Sequence, residues 1–341
     1  MTLLQNLGTW GERLPLPDSV SRAGVALLVG RTARRLAEVG SSGDEDFARG
    51  MTGYPVAQHA DAANAQHYEV PAAFFAQVLG PHRKYSCCFY ETPQATLAQA
   101  ETRALELTMA HAGLQNGQRI LELGCGWGSL SLFLAERLPG SEIVAVSNSA
   151  SQRRFIEVEA IRRGIANLKI VTADMNHFQA EDRFDRIVSV EMFEHMANWR
   201  ELLARARSWL APEGRLFLHV FTHRSASYRF DIEDRADWIA QHFFTGGLMP
   251  SRGLVHRFPE LFAVEGEWHW SGEHYRRTAE HWLANFDRNA AAIEPILAQT
   301  YGVDAALWRR RWRLFFLATS GLFGHDSGEV WGVGHYLLRP R

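Results

Sequence analysis

Three side chains that can give and take protons lie close together in the segment SVEMFEHM, residues 189–196. They are Glu191, Glu194 and His195, and they follow RIVSV, an apolar run typical of a strand. Charged groups are costly beside a core unless they have partners or a chemical task. Taken alone, this cluster is as consistent with bracing of the following helix as with acid–base catalysis. The surrounding elements have to decide between the two.

A glycine-rich loop, ILELGCGWGSL, joins an earlier strand to a helix. Gly124 and Gly126 let the backbone turn sharply and approach a ligand closely. Glu122, two residues before the first glycine, can accept a hydrogen bond from a cationic amino group. A phosphate site would instead use a lysine and a helix N-terminus, and the loop has no G-K-[ST]. The pattern therefore favours S-adenosylmethionine over a nucleotide phosphate, and its alternative is a tight turn without a ligand.

The ends of the next two predicted strands offer further cofactor contacts. The second strand ends VAVSNSASQ, without the acid that holds the ribose in dinucleotide folds. Asn148 and Gln152 can hydrogen-bond ribose hydroxyls there. Asp174, after the third strand, is placed to meet the adenine amino group, and its alternative role is a helix cap.

Strands and helix-length segments alternate from about residue 96, which predicts an α/β fold with a parallel sheet. Such sheets bind ligands at the carboxyl ends of their strands. A helix is also predicted over residues 19–39. We expect an N-terminal helical accessory region over 1–65 and a main domain over 66–341. An aromatic- and Arg-rich stretch at about 225–285 is expected to be an inserted cap.

Net charge and cysteine content exclude some classes of function. The 341 residues have a net charge of −2, which argues against a nucleic-acid binder that relies on positive charge. The three cysteines have no C-x-x-C spacing, so we expect no metal site. Two of them are adjacent, which makes a disulfide framework implausible, so we expect a reducing, cytoplasmic location. The stretch WRRRWRLFF could touch anionic lipid as a peripheral membrane contact. A packed C-terminal helix is the commoner explanation, and a homodimer is left open.

Several motifs resemble a known family when they are taken in chain order. YSCCFY, ATLAQAE, LELGCGWGS, VSNSASQ and FEHM are similar to the cyclopropane-fatty-acid and mycolic-acid synthase family over about residues 64–341. The resemblance implies an enzyme, a class I S-adenosylmethionine-dependent methyltransferase with a Rossmann-like, seven-stranded mixed sheet and a cap over the acceptor site. It also implies which residues line the cofactor site: Tyr85, Ser86, Gly124, Gly126, Asn148 and Gln152.

In the lipid-modifying members of that family, a bound carbonate ion serves as the base. The resemblance assigns its ligands to Cys87, Glu194, His219 and Tyr275, which match in residue type. Without this constellation, His219 would be taken as a core histidine and Cys87 as a small buried residue. The set implies bicarbonate or carbonate as a second cofactor and methylene or methyl transfer to an unsaturated lipid. Phe221 stands where the family usually has Ile, which changes the expected pocket shape.

One departure from the lipid pattern favours a different acceptor. Lipid members usually have S-x-G-x-F-E-H, whereas the glycine position holds Glu191 here. SVEMFEHM, WRLFFLATSGLFG and GEVW resemble the coclaurine N-methyltransferase branch, which implies that Glu191, Glu194 and His195 face an amine. A protonated amine must lose a proton before it can attack, and a nearby base takes it.

The sequence therefore predicts N-methylation of a small-molecule amine. The first alternative is transfer to an unsaturated fatty acyl lipid. The second is a protein that binds S-adenosylmethionine without turnover.

Overall fold

A central sheet of seven strands organises the chain, as the resemblance implies. The computed structural model describes residues 16–38, 43–58, 70–230 and 238–341. The strands follow in the spatial order β3-β2-β1-β4-β5-β9-β8. They are β1 (Arg119–Leu123), β2 (Glu142–Ser147), β3 (Leu168–Thr172), β4 (Phe184–Val190), β5 (Leu210–His223), β8 (Phe262–Ser271) and β9 (Trp331–Pro340). A separate two-stranded ribbon comprises β6 (Tyr228–Arg229) and β7 (Leu248–Met249).

Helices connect these strands and cover the sheet. They are α1 (Asp18–Ala37), α2 (Gly43–Gly50), α3 (Ala72–Val78), α4 (Leu97–His111), α5 (Ser129–Arg137), α6 (Ala150–Arg162), α7 (Trp199–Trp209), α8 (Trp238–His242), α9 (Gly272–Arg288), α10 (Ala290–Tyr301) and α11 (Ala305–Phe323). Local sequence sets where several of them begin. Thr96 forms a capping box with Gln99 at α4, and the hydroxyl of Ser149 accepts from the backbone N–H of Gln152 at α6.

The five strands from β1 to β5 run parallel, while β9 is antiparallel to both β5 and β8. The predicted parallel α/β sheet is therefore confirmed, with a mixed edge. The carboxyl ends of β1 to β4 lie together at one edge of the sheet, where ligands bind in such folds. The segments singled out in the sequence follow those ends.

The segment 225–285, expected to be a cap, includes one strand of the main sheet. β8 pairs with β9 along its length, so the cap expectation is wrong for residues 262–271. The physical reason is that β8 lies at the edge of the sheet and alternates half-buried with exposed residues. It therefore lacks the continuous apolar run of a central strand.

The N-terminal helix α1 packs on the C-terminal helices. Arg22 donates to Glu280 of α9 (2.8 Å), and Arg313 of α11 donates to both Asp18 and Asp287. The expected boundary at residue 65 lies outside the described residues. The division of the chain there stays a prediction.

The aromatic side of α11 faces the protein interior. Trp312 and Phe316 are fully buried, and Trp308 and Phe315 are partly buried against the same core. This favours the packed C-terminal helix over a lipid-facing surface. Among the described residues, no helix is both long enough and apolar enough to cross a membrane.

The junction of β8 with α9 generates a stability prediction, because α9 carries Tyr275. A Cβ on Gly272 would lie 2.1 Å from the carbonyl oxygen of Trp331 and 2.2 Å from that of Phe323. Backbone atoms cannot move aside cheaply. We expect Gly272→Ala to lower the free energy of unfolding by about 3 kcal/mol in urea titrations.

A matched control comes from Gly24 in the middle of α1, where a Cβ would meet nothing within 4 Å. Gly24→Ala should leave stability unchanged or raise it by about 0.5–1 kcal/mol. Equal effects of the two substitutions would contradict the close packing at Gly272.

Candidate active site

The loop between β1 and α5 has the backbone that its glycines predict. Gly124 and Gly126 have φ angles of 82° and 52°, in the left-handed region. A Cβ on Gly124 would lie 2.5 Å from Cγ of Met192, so this glycine lets the loop pack against the SVEMFEHM segment. A Cβ on Gly126 would meet nothing within 4 Å, and this residue lines a cavity. The loop therefore leaves room for a ligand beside its backbone.

All eight residues expected at the cofactor lie around that one cavity: Tyr85, Ser86, Glu122, Gly124, Gly126, Asn148, Gln152 and Asp174. Oε1 of Gln152 accepts from the hydroxyl of Ser147 (2.7 Å), which orients the amide. Oδ1 of Asp174 accepts the backbone N–H of Asn176 (2.7 Å) at the start of a turn, and no helix follows it, so the alternative role as a helix cap is wrong.

Buried polar groups in this half of the cavity fit a cationic, hydroxyl-bearing ligand. Glu122 is buried and accepts from the hydroxyl of Ser131, and burial raises the pKa of Glu122 to about 7. The hydroxyl of Ser129 is buried and has no hydrogen-bond partner among the residues that the structure describes. A buried hydroxyl without a partner is costly unless a ligand satisfies it. These residues fit S-adenosylmethionine.

The residues predicted to transfer protons line another part of the same cavity. Glu191 and His195 line it together with Tyr275. Aromatic rings form the wall, from Phe221, Phe244, Trp282 and Phe315. The ring of His195 lies against that of Phe244, with centroids 4.3 Å apart.

Glu191 follows β4 in an unusual backbone conformation. Its backbone N–H donates to the carbonyl of His219 (2.8 Å), which continues the pairing of β4 with β5. Its φ angle is 48°, a left-handed value that costs an L-residue roughly 1–2 kcal/mol. Such strain persists where the surrounding structure imposes it and is frequent at active sites.

Three groups hold the carboxylate of Glu191. Oε1 accepts from the backbone N–H of Cys87 (2.9 Å) and lies 3.2 Å from Nε2 of His219, and Oε2 accepts from the hydroxyl of Tyr275 (2.7 Å). The residue types assigned to a carbonate ion are thus brought together. Three of the four instead hydrogen-bond to the carboxylate of Glu191, which supplies an oxyanion among them. The set does not fit a carbonate ion in addition.

Glu194 is fully buried and anchored at one oxygen only. Oε1 accepts from the backbone N–H of Phe221 (2.7 Å), and Oε2 has no hydrogen-bond partner within the described parts of the chain. Burial, followed by the charge of Glu191, raises the pKa of Glu194 well above its usual range. Two buried carboxylates this close do not both ionise readily. Of the two, Glu194 therefore holds a proton more firmly than Glu191.

Lys84 favours ionisation of Glu191. Burial raises the pKa of Glu191, while the Lys84 ammonium, the Cys87 N–H and the Tyr275 hydroxyl each oppose that rise. Nζ of Lys84 donates to the backbone carbonyl of Cys87 (2.7 Å), and the backbone N–H of the same cysteine donates to Glu191. Burial also raises the pKa of the Cys87 thiol well above its usual range, so this thiol is not an activated nucleophile.

Sequence reasoning missed Lys84, Ser129 and His335. Lys84 directly precedes the YSCCFY motif and is one of two lysines in a chain that otherwise uses arginine, which was an available signal. Nε2 of His335 lies 2.8 Å from Nδ1 of His219. No local pattern indicates this contact, because the two strands are more than a hundred residues apart in the chain.

Comparison with known proteins shows the family of the chain. The family described as mycolic acid cyclopropane synthetase matches residues 57–332. The chain belongs to that family. It is 35% identical over 291 residues to (S)-coclaurine N-methyltransferase of Thalictrum flavum subsp. glaucum, covering 84% of this chain and 81% of the relative.

More distant and structural relatives complete the comparison. Cyclopropane-fatty-acyl-phospholipid synthase of Escherichia coli strain K12 is 28% identical over 270 residues, 79% of this chain and 66% of that one. A crystal structure of coclaurine N-methyltransferase bound to N-methylheliamine and S-adenosylhomocysteine superposes with a TM-score of 0.95 at 29% identity. It covers 99% of this chain and 100% of its own. The class I methyltransferase fold and the resemblance seen in the sequence are confirmed.

The protein is an S-adenosylmethionine-dependent methyltransferase. Its cofactor supplies a methyl group activated by a sulfonium, so the residues around it need only bind and orient. The roles of individual cavity residues stay predictions.

The raised pKa of Glu122 predicts pH-dependent cofactor binding. The ammonium group of S-adenosylhomocysteine favours the ionised carboxylate, and below about pH 7 that carboxyl carries a proton that must leave on binding. Affinity should therefore fall by up to roughly tenfold per pH unit between pH 7 and pH 5.5. Isothermal titration calorimetry measures this.

Glu122→Gln should remove the pH dependence and weaken binding at pH 7.5. The control is Glu142→Gln, at an exposed carboxylate at the start of β2. An unchanged pH profile in Glu122→Gln would mean that this carboxylate does not meet the ammonium.

Proposed function

We propose that this methyltransferase transfers a methyl group to the nitrogen of a small-molecule amine. The observation behind the proposal is the buried carboxylate of Glu191, which lines the cavity. It hydrogen-bonds to Cys87, His219 and Tyr275, three of the four residues that match the carbonate ligands of the lipid enzymes. A fixed negative charge in an aromatic-walled cavity suits a cationic ring-bearing amine. It is unfavourable for an uncharged acyl chain.

Glu191 then acts as the general base. The amine arrives protonated, and Glu191 takes the N–H proton while Tyr275 and the Cys87 amide hold the carboxylate in place. The freed nitrogen lone pair forms the new bond to the methyl carbon, and the carbon–sulfur bond electrons return to sulfur. Lys84 keeps Glu191 ionised for this step, and protonated Glu194 avoids a second negative charge beside it.

The relatives support an amine as the class of acceptor but do not identify the molecule. The plant relative is named for coclaurine, and the solved coclaurine enzyme holds N-methylheliamine; both names refer to those proteins. For this chain we propose the amine class without choosing the molecule. We also propose a cytoplasmic location, which the three free and buried cysteines, Cys87, Cys88 and Cys125, support.

Transfer to an unsaturated lipid is the second candidate. It is favoured by the matching residue types at Cys87, Glu194, His219 and Tyr275 and by the bacterial lipid-modifying relative. The contacts of Glu191 with three of these four residues count against it. Peripheral membrane contact would suit this candidate and stays a prediction, as does a homodimer with either acceptor.

One labelling experiment separates the two candidates. Purified protein is incubated with methyl-labelled S-adenosylmethionine, a panel of secondary and tertiary amines, and vesicles of monounsaturated phospholipid. We expect label in the amine fraction and vesicles that keep their alkenes. Label in the lipid phase with loss of alkene would overturn the amine proposal.

Glu191 variants test the base and the strain separately. Glu191→Gln should lower kcat/KM for the amine by about 10²–10⁴ and remove the fall in rate at low pH, because only the ionised carboxylate accepts a proton. Retention of wild-type rates in Glu191→Gln would contradict the role of this side chain.

Glu191→Ala and Glu191→Gly both delete the carboxylate and differ in the backbone they allow. Both should be inactive, while the glycine variant should be more stable than the alanine variant by about 1 kcal/mol, since glycine tolerates a φ of 48°. Thermal unfolding of the pair is the measurement. Equal stabilities would mean that the backbone relaxes when the carboxylate is lost.

A further inference from the structure

Glu191 is one end of a continuous chain of hydrogen bonds that passes through three histidines. Nε2 of His219 lies 3.2 Å from Oε1 of Glu191, and Nδ1 of His219 lies 2.8 Å from Nε2 of His335. Nδ1 of His335 lies 2.8 Å from Nδ1 of His111. His111 is the last residue of α4 and is only half-buried. The chain thus runs from the acceptor cavity to the protein surface.

The register of the sheet builds this chain. His219 on β5 is the direct partner of His335 on β9, and His335 is the direct partner of Trp268 on β8. Direct partners on neighbouring strands project from the same face of a sheet. The ring of His111 stacks on that of Trp268 with centroids 4.0 Å apart and planes within 5°. This stacking places His111 next to His335, at the outer end of the chain of hydrogen bonds.

Apolar rings enclose the inner part of the chain. His219 and His335 are fully buried. The ring of Trp270 lies 4.2 Å from that of His335 and 5.2 Å from that of His219, and the ring of Phe217 lies 5.0 Å from that of His335. Burial lowers the pKa of both histidines well below the usual range, so each ring is neutral and carries one N–H.

We propose that His219, His335 and His111 form a proton path that connects the Glu191 carboxyl group with solvent. The proposal rests on Glu191 as the base of the proposed function. Buried neutral imidazoles in a row have two ordered arrangements of their protons. With Glu191 ionised, N–H groups point toward it from Nε2 of His219, Nε2 of His335 and Nδ1 of His111. With Glu191 protonated, all three rings carry the proton on the other nitrogen.

Conversion between the two arrangements moves one proton and leaves every ring neutral. Glu191 gives its proton to Nε2 of His219, whose Nδ1 proton passes to Nε2 of His335. The Nδ1 proton of His335 passes to Nδ1 of His111, whose Nε2 proton leaves to water. Glu191 is then a carboxylate that pairs with the incoming ammonium. After the amine proton and the product have left through the open cavity, the reverse shift neutralises Glu191 again.

The path matters because the buried carboxyl would otherwise exchange protons only through the cavity. A neutral Glu191 suits the empty site, and an ionised one suits the site that holds a cation. The path lets Glu191 change between them while the substrate fills the cavity.

Other titratable groups face the path. Lys84 and Glu194 act on Glu191 together with Cys87 and Tyr275. The charge of Lys84 also acts on His219 and His335. His269 acts electrostatically on His335, and Arg103 on His111.

Nuclear magnetic resonance of ¹⁵N-histidine-labelled protein tests the path without an amine substrate. In the wild type, the proton of His335 should move from Nδ1 to Nε2 as rising pH ionises Glu191. In Glu191→Gln, which cannot ionise, the tautomer of His335 should not change with pH. A fixed tautomer in the wild type, or the same switch in Glu191→Gln, would overturn the proposal. This result is independent of whether the acceptor is an amine.

Turnover of an amine from the labelling panel tests the path kinetically. In His335→Gln, the amide can still donate to His219 and accept from His111 but cannot pass a proton on. We expect a loss of about tenfold or more in kcat with unchanged cofactor affinity, and a larger solvent deuterium isotope effect. Wild-type kcat in a folded His335→Gln would mean that the histidines only position Glu191, and would overturn the path.

A surface variant covers the case in which His335→Gln does not fold. His111→Ala should lose turnover that added imidazole restores, because a small imidazole can take the place of the outer ring. Loss without rescue would contradict proton transfer at this end. The matched control is His269→Gln on the neighbouring strand β8, whose ring contacts Glu267 (2.9 Å) and is not part of the chain of hydrogen bonds. It should change none of these readouts.

Discussion

The site depends on one strained residue, Glu191, whose left-handed backbone lies directly after β4. Its N–H completes the ladder with β5, and its carboxylate meets Cys87, His219 and Tyr275. Those partners come from the loop before α4, from β5 and from α9. The carboxylate therefore joins the N-terminal part of the domain, the sheet and the C-terminal helices at one point. Strain of this size persists because several independent contacts enforce it.

The same point links the residues predicted to hold the cofactor with those proposed to face the acceptor. Gly124 accepts the side chain of Met192 where any Cβ would collide, so the cofactor loop and the residue after Glu191 are fitted to each other. Glu194, two residues further on, is fixed to the backbone of Phe221. Proximity of donor and acceptor accounts for much of the acceleration of a methyl transfer, and here it follows from how two adjacent loops pack.

Much of the fold could be predicted from the sequence because central parallel strands are continuous apolar runs separated by helices. β8 could not, since FAVEGEWHWS lies at the edge of the sheet and mixes charged with aromatic residues. Likewise, motifs supplied the types Cys87, His219 and Tyr275 but not the fact that Glu191 lies among them. The row of His219, His335 and Trp268 depends on the register between strands far apart in the chain, and no local pattern encodes such a register.

The carboxylate of Glu191, which is part of the chain, and a bound carbonate ion can each accept a proton in such a cavity, but the consequences differ. An ion can enter, leave and exchange protons with water, and an uncharged acyl chain can lie beside it once one charge is neutralised. Glu191 cannot leave, so its charge must be balanced inside the protein, by Lys84 or by a cation in the cavity. When the cavity is filled, the proposed path of histidines would let its proton leave through the protein. The proposed cationic acceptor and the proposed path of histidines would each meet a need of a fixed buried carboxylate, the first for charge balance and the second for proton exchange.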